Sequence, residues 1–241
     1  MDDNGCDRFQ AAVRAIATSA NLTHSRGIAL IAGLMLMASM VLLALAVATG
    51  MLLERRMAGN FGDSQLGLQR AQLAGRWADY WLQSRPHNPL DPGCSADCGP
   101  SPPIFESRQL PHAPEFEDSA WWQLHGESAG VDPGSGEVRM DYTLAGTEAP
   151  RWVIEELRLE PLQGIVAEPG EPEPTLGYYR ILARGSGRYP GSVAVTETII
   201  ARPWAAEFMS APYPPDPAGP WFCEQVPQDI PCGRQAWRRR R

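Results

Sequence analysis

The longest hydrophobic stretch of the chain begins at Gly27, ends at Leu53 and contains no charged residue. An α-helix rises about 1.5 Å per residue, so about 20 residues cross a hydrocarbon core of about 30 Å. The apolar part of a cleaved secretory signal is shorter, usually about 7–15 residues. The pattern therefore predicts one retained, single-pass transmembrane helix over residues 28–53, preceded by a polar cytoplasmic leader over residues 1–27.

Helical periodicity continues beyond this stretch, now with polar residues between the apolar ones. The apolar and aromatic positions recur at helical spacing and fall on one face: Leu66, Leu73, Trp77, Tyr80 and Trp81. This pattern predicts an amphipathic half of the helix over residues 54–85, which Pro86 ends. Gly59 and Gly62 lie between the two halves, and each weakens a helix by about 1 kcal/mol relative to alanine, so we expect a bend there.

Four segments in the second half of the chain alternate apolar and polar residues with the period of a β-strand. In chain order they are residues 137–146, 152–159, 177–185 and 192–201. A helix with an apolar face, followed by strands in meander order, predicts an α+β fold in which the half-helix packs on a four-stranded antiparallel sheet. Leu73, Trp77 and Trp81 are the predicted contacts. Pro-rich loops and a Pro-rich C-terminal tail complete a globular domain over residues 86–241.

The charge of the chain limits the kinds of partner it can bind. The formal net charge is −7, and all 21 basic residues are arginine. A general nucleic-acid-binding protein needs a basic surface to displace counterions from phosphates, so nucleic acid is not an expected partner. One basic run stands apart, at Arg238–Arg241. It predicts a mobile, solvated tail, and the alternative is a tail that docks on an acidic partner or on anionic lipid headgroups.

Four cysteines follow the hydrophobic stretch, in two close pairs. They are Cys94 with Cys98, and Cys223 with Cys232, each pair among prolines and glycines. Paired loop cysteines favour disulfides in an oxidising compartment over a four-cysteine zinc site, because neither pair has the Cys-x2-Cys spacing of a zinc knuckle. Arginines flank the hydrophobic stretch on both sides and leave its orientation open. The cysteines place the C-terminal domain outside the cytoplasm.

The sequence contains no recognisable catalytic constellation. The four histidines lack metal-ligand spacing, and no serine lies in a Gly-x-Ser-x-Gly frame. Glu155 and Glu156 are adjacent on a predicted strand, so they point to opposite faces, and we interpret them as part of a solvated face rather than an acid–base pair. The glycine-rich segment 184–191 joins two strands and not a strand to a helix, which argues against a phosphate-binding loop. We expect no enzyme activity, no cofactor and no metal.

Several segments resemble PilX-type minor pilins of type IV pili. The sequence RG followed by IALIAGL resembles a prepilin processing site, and LLERRMAGNFGDSQLGLQRAQLA resembles the Glu-Arg-Met-Ala-Gly-Asn region of that group. The sequence YYRILARGSGRYPGSVAVTETII is similar to its C-terminal hairpin, and WVIEEL to one of its strands. These matches cover about a third of the chain in the right order, and Gln72 departs from the glutamate common in the family.

The resemblance implies a processing site and a set of partners. Prepilin peptidase would cut between Gly27 and Ile28, and the new amine of Ile28 would be methylated. Ala32 occupies the fifth mature position, where most pilins carry glutamate, which argues against a major pilin. The implied role is priming of pilus assembly and a place in the tip complex, with other minor pilins, the major pilin and a large tip adhesin as candidate partners. The implied location is the inner membrane with the C-terminal domain in the periplasm, and the pilus tip after assembly.

Two alternatives remain at the level of sequence. The tip pseudopilin of a type II secretion system also lacks the glutamate, but it has a larger inserted helical domain and calcium sites. An unrelated signal-anchored periplasmic binding module would keep its leader uncleaved.

Overall fold

A computed structural model of the chain describes residues 25–85, 88, 104–133, 135–143, 147–165, 167, 173–189, 191–205, 208 and 222–241. Within the chain, two compact units divide after Ala58, as Met1–Ala58 and Gly59–Arg241. Within the described residues the elements are two α-helices, two short 3-10 helices and six strands. In chain order they are α1 (Ser25–Gln83), β1 (Ile104–Phe105), η1 (Pro114–Phe116), α2 (Ser119–His125), β2 (Glu127–Ser128), β3 (Arg151–Pro161), β4 (Thr175–Ser186), β5 (Val193–Trp204), η2 (Phe222–Glu224) and β6 (Gly233–Arg239).

The first unit contributes the apolar part of α1. Among the described residues, α1 is the one helix that is long and apolar enough to span a membrane. The segment around Gly59 and Gly62, where a bend was expected, is helical, and the division between the two units falls at its start. The helix ends at Gln83, before Pro86.

The second unit is built on a mixed sheet with the order β1-β3-β4-β5-β6. From β3 to β6, each strand pairs antiparallel with the next one along the chain. Strand β1 pairs parallel with β3, and β2 pairs antiparallel with β3. Three of the four predicted strands lie within β3, β4 and β5, and the predicted hairpin is the β4–β5 pair. The sheet also contains β6, where the sequence predicted a tail.

The prediction of a strand over residues 137–146 is wrong for the part that the structure describes, residues 137–143. Val138 forms only an isolated bridge with Val131, and the rest of that stretch is irregular. The alternation is present, but among the described residues this stretch pairs with no strand of the sheet. Val138 and Met140 are exposed.

Both faces of the sheet are covered. The second half of α1 covers one face, and the core there includes Trp77, Trp81, Trp152 and Ile154. The segment containing η1 and α2 covers the other face, where Trp122 packs with strand residues such as Val153. Neighbouring residues of β3 enter different cores because successive side chains of a strand point to opposite faces. A third cluster forms at the end of the sheet, around Phe208 and Phe222.

Candidate functional site

The apolar half of α1 is exposed in the part of the chain that the structure describes. Every residue from Ile28 to Gly62 is exposed, including large side chains such as Ile28 and Leu34. Gly27, the residue before the predicted cleavage, lies in the helix, and Ala32 is exposed on it. An apolar surface of this size is unstable in water, so this segment requires a membrane or other apolar helices around it.

The other half of α1 approaches the sheet very closely at one point. A Cβ atom on Gly185 would lie 2.3 Å from the nitrogen of Ala71 and 2.4 Å from the carbonyl oxygen of Gly67. A Cβ atom on Gly187 would lie 2.6 Å from the carbonyl oxygen of Asp63. The helix backbone therefore lies directly on the β4 backbone, and Gly185 and Gly187 make this contact possible.

Two charged side chains of α1 fix this contact by hydrogen bonds. The buried guanidinium of Arg70 donates to the carbonyl oxygens of Ser186 at 2.6 Å, Glu148 at 2.5 Å and Tyr142 at 3.2 Å. Because these acceptors lie in three separate parts of the chain, Arg70 ties the helix to the sheet and to the irregular segment before β3.

Asp63 forms the second of these anchors, about two turns before Arg70 on α1. Its carboxylate accepts from the backbone N–H of Arg188 at 2.6 Å and of Tyr189 at 3.3 Å. Burial acts to raise the pKa of Asp63, but hydrogen bonds from Arg188, Ser192 and Tyr189 outweigh it and hold the pKa below its usual range. The loop between β4 and β5 is therefore fastened to the helix.

The C-terminal end of α1 is capped by a buried arginine from β5. Arg202 donates to the carbonyl oxygen of Gln83 at 2.9 Å and of Arg85 at 2.5 Å. Its guanidinium carbon lies 4.1 Å from the ring centre of Trp204 and 4.0 Å from that of Phe222. A positive charge at a helix C-terminus is favourable, and it satisfies carbonyls that have no partner within the helix. Burial lowers the pKa of Arg202 to about 9.

The predicted helix–sheet contact residues lie at this interface. Trp77 and Trp81 are buried in the core between α1 and the sheet, and Leu73 packs against that core partly buried. Trp81 lies 5.8 Å from Trp152 of β3 between ring centres, and Trp77 lies 6.2 Å from Tyr142. The polar anchors were not predicted, since nothing in their local sequence distinguishes them from solvated charges.

The cysteines differ in what the structure describes. Cys223 and Cys232 form a disulfide that joins η2 to the start of β6. Both cysteines pack against the third cluster, which contains Phe222. Cys94 and Cys98 lie outside the described residues. Among the residues the structure describes, no group of three or more histidine, cysteine or acidic side chains could hold a metal ion.

The interpretation of Arg238–Arg241 as a mobile tail is wrong. Arg238 and Arg239 belong to β6, and the chain continues along β5, where the N–H of Arg240 donates to the carbonyl of Val195 at 2.8 Å. The partly buried guanidinium of Arg240 lies between two buried carboxylates, those of Glu115 of η1, at 2.8 Å, and of Glu197 of β5. Burial opposes the charge of Arg240, but hydrogen bonds to Glu197 and Glu115 raise its pKa. Sequence alone gives no reason to interpret an arginine run as anything but solvated, because its acidic partners, here Glu115 and Glu197, are distant in sequence.

The interpretation of Glu155 as part of a solvated strand face is also wrong. Glu155 is buried, pairs with Arg180 and accepts from the N–H of Arg108 at 2.8 Å. Glu156 points to the other face, where the hydroxyl of Tyr179 donates to it at 3.3 Å, and burial raises its pKa. The two carboxylates are thus separated by the sheet, as the alternation of strand side chains predicted.

The comparisons with known proteins give one match. Residues 26–74 match a family model described as PilX N-terminal. The matched segment contains the exposed apolar part of α1 together with Asp63, Gly67 and Arg70, which fasten the helix to the sheet. This match confirms the resemblance to PilX-type minor pilins and points to a structural pilus component rather than an enzyme. No curated protein and no solved structure matches the chain.

Proposed function

We propose that this chain, which carries a PilX N-terminal segment, is a minor pilin that primes assembly of type IV pili and stays in the tip complex. The observation that carries the proposal is the two-part helix. Its uncharged part within the matched segment, residues 28–53, is exposed, and its second half is fastened to a folded sheet. An element of this kind inserts into a membrane or a helical bundle at one end and displays a folded domain at the other.

The first step is anchoring and processing in the inner membrane. Residues 28–53 span the bilayer, the leader 1–27 stays in the cytoplasm, and residues 54–85 lead into the periplasmic domain 86–241. Prepilin peptidase cuts after Gly27, where the absence of a side chain leaves the peptide bond accessible, and Ile28 becomes the methylated N-terminus. The Cys223–Cys232 disulfide supports a periplasmic location for the domain, because such bonds persist in oxidising compartments.

The second step is association with the helices of other pilins. Within lipid the hydrophobic effect does not drive helix association, so close packing of small residues has to do so. The helix offers five small residues near its start: Ala29, Ala32, Gly33, Ala38 and Ser39. A Cβ atom on Gly33 would meet no neighbour within 4 Å, so this surface is open in the single chain.

The residue at the fifth mature position, Ala32, favours a minor pilin over a major one. A carboxylate within the bilayer costs about 2.5–3.5 kcal/mol unless it is paired. Ala32 avoids that cost but gives up the pairing that each copy of a major pilin would repeat. The chain is therefore suited to start a fibre and not to form its bulk. Its partners would be other minor pilins, the major pilin and a large tip adhesin, and its role would be assembly without catalysis. The PilX match favours this proposal over the type II tip pseudopilin.

The test is mass spectrometry of the N-terminus of protein extracted from membranes. We expect an N-methylated Ile28 as the first residue, and Gly27→Val should leave the leader attached and abolish surface pili. Gly33→Val is the matched control, because it changes a glycine of the same helix outside the processing site and should still be cleaved. Recovery of intact Met1 from the wild type, in cells that process their other pilins, would contradict the proposal.

A further inference from the structure

Strand β6 forms an open edge of the sheet. In the described part of the chain it is the last strand in the order and pairs with β5 alone. Its residues from Arg234 to Arg239 are all exposed, and Trp237 keeps 43% of its surface accessible. An exposed edge strand is a template for pairing with another extended chain.

The register shows which backbone groups of β6 point away from β5. The N–H of Arg240 donates to the carbonyl oxygen of Val195, so Arg240 faces β5. In an antiparallel ladder this orientation alternates with every residue. Arg239 and Trp237 therefore direct their N–H and C=O groups outward, to the free edge. A partner strand would find donors and acceptors at these two residues, at the spacing of a ladder.

The arginines of this edge divide into two groups. Arg238 pairs with Glu197 at 2.8 Å, and Arg240 pairs with Glu197 and Glu115, so these two charges are compensated within the chain. Arg234 and Arg239 form no ion pair with an acidic side chain of the described residues. The guanidinium of Arg239 donates instead to the backbone oxygen of Arg241 at 2.8 Å and to the hydroxyl of Ser64 at 3.2 Å.

Arg234 and Arg239 share one face of the sheet with the exposed tryptophan, and Asp79 is the acidic residue whose charge Arg234 feels there. Arg239 is the register partner of Thr196, and Trp237 that of Thr198. A groove of about 410 Å³ opens on this face between α1 and the sheet, and eight residues line it: Gln72, Gly75, Arg76, Asp79, Thr196, Thr198, Arg234 and Trp237. Two arginines and one aspartate give the groove a net positive charge. The carboxylate of Asp79 already accepts from the side-chain amide of Gln83 at 2.6 Å.

We propose that β6 accepts an extended acidic segment of another protein as a further antiparallel strand of the sheet. Trp237 and Arg239 would supply the backbone pairing, the ring of Trp237 would cover the apolar parts of the added strand, and Arg76, Arg234 and Arg239 would bind its carboxylates. A second copy of this chain is disfavoured because two arginine-rich strands would repel each other. A lipid surface would use the charges but not the outward backbone groups.

This surface lies within the unit Gly59–Arg241 and does not depend on a role in pili. A chain that fails to enter a pilus could still bind an acidic strand, and a processed minor pilin could lack this binding. An experiment can therefore refute the binding of an acidic strand without refuting the role in pili, and the reverse.

The test uses the full chain in detergent micelles and a fluorescein-labelled peptide in which glutamate and valine alternate over about seven residues, the length of β6. One control peptide replaces glutamate with lysine. The second keeps the glutamates and replaces alternate valines with proline, which removes backbone donors without changing the charge. We expect anisotropy titrations to show binding of the first peptide, weakening as salt is raised, and at least about tenfold weaker binding of both controls.

The matched variants separate backbone pairing from charge. Arg239→Ala removes the guanidinium but keeps the outward N–H, whereas Arg239→Pro removes both and leaves the bonds to β5 intact. We expect binding to Arg239→Pro to be weaker than to Arg239→Ala by about fivefold, the loss of one hydrogen bond. Trp237→Ala should weaken binding by about tenfold. Replacing Arg234 and Arg239 together by glutamate should reverse the preference toward the lysine peptide, which keeps the test informative if the proline variant does not fold.

Three results would overturn the proposal. The first is equal binding of the glutamate peptide and its proline form, which would show a charged surface without strand pairing. The second is no binding at low salt. The third is binding of wild type to vesicles of anionic lipid, abolished by the double glutamate variant, without binding of the peptide.

Discussion

Substitution of Gly185 by alanine tests the close contact between α1 and β4. A Cβ atom at this position would lie 2.3 Å from the nitrogen of Ala71, and ordinary contact begins at 3.4 Å. The difference is about 1.1 Å. The obstacle is helix backbone and not the end of a flexible side chain, so a rotamer change cannot relieve the clash. The helix has to move away from the sheet by about that distance.

A shift of this size weakens the packing along the whole contact. A gap of about 0.5–1 Å forfeits between a quarter and a half of the attraction between packed atoms. Ala71 at the site, and Ala74 and Ala78 further along the same helix, are completely buried and have no flexible atoms with which to fill the gap. Overpacked cores lose about 1–3 kcal/mol. We place Gly185→Ala at the upper end, about 3 kcal/mol, because the displaced element is an entire helix.

The assay is urea unfolding of the full chain in detergent micelles, followed by tryptophan fluorescence, because Trp81 and Trp152 are buried at the interface. Gly191→Ala is the matched control, since a Cβ atom there would meet no neighbour within 4 Å in the same hairpin. It should change the free energy of unfolding by less than about 0.5 kcal/mol. If Gly185→Ala is as stable as this control, the helix does not rest on the β4 backbone and the reasoning is refuted.

Three further predictions concern the polar and covalent links. Arg240→Ala leaves the buried carboxylate of Glu115 without its partner and removes one of the two partners of Glu197, so it should cost about 3 kcal/mol of unfolding free energy. Arg238→Ala removes a side chain that is 64% exposed and should cost at most about 1 kcal/mol. Equal losses in urea unfolding would show that burial of the ion pair is irrelevant. Replacing Cys223 and Cys232 by serine should lower the free energy of unfolding by about 2–3 kcal/mol and remove the effect of a reductant on the melting temperature. If the reductant still lowers the melting temperature by the same amount, its effect does not come from this disulfide. Hydrogen bonds hold the pKa of Asp63 in the folded state below its usual value of 3.8, so its contribution to the free energy of unfolding is present above that pH and is lost as the pH falls further. We therefore expect the urea midpoint of Asp63→Asn to fall less than that of the wild type as the pH is lowered. An equal fall in both proteins would contradict the prediction.

The α1 helix and the β4–β5 hairpin were predictable because their signals are local. Residues 28–53 form an uncharged run, and the positions of Trp77 and Trp81 repeat at helical spacing, so periodicity alone gives the helix and its buried face. The strands β4 and β5 combine alternation with a short glycine-containing connection. In each case the residues that determine the element lie within the element.

The interface anchors were not predictable for the opposite reason. Arg70 and Arg202 have the same local appearance as solvated arginines, and their acceptors lie far away in sequence, 116 residues for Arg70 and Ser186 and 119 for Arg202 and Gln83. The strand error over residues 137–143 has the same origin, because alternation reports a preference for extended backbone and not whether a neighbouring edge is free. The arginines of β6 were interpreted from charge alone, without Glu115 and Glu197.

The sequence by itself determined the membrane-length helix, its amphipathic continuation, three of the strands and the resemblance to minor pilins. These depend on period, length and local motif, which a linear chain carries. Only the tertiary structure decided that Gly185 and Gly187 admit the helix backbone, that Arg202 caps the helix, and that Arg238 and Arg239 belong to an edge strand. Each of these depends on the distance between groups remote in sequence, and that distance is fixed only when burial of the shared core brings the elements together.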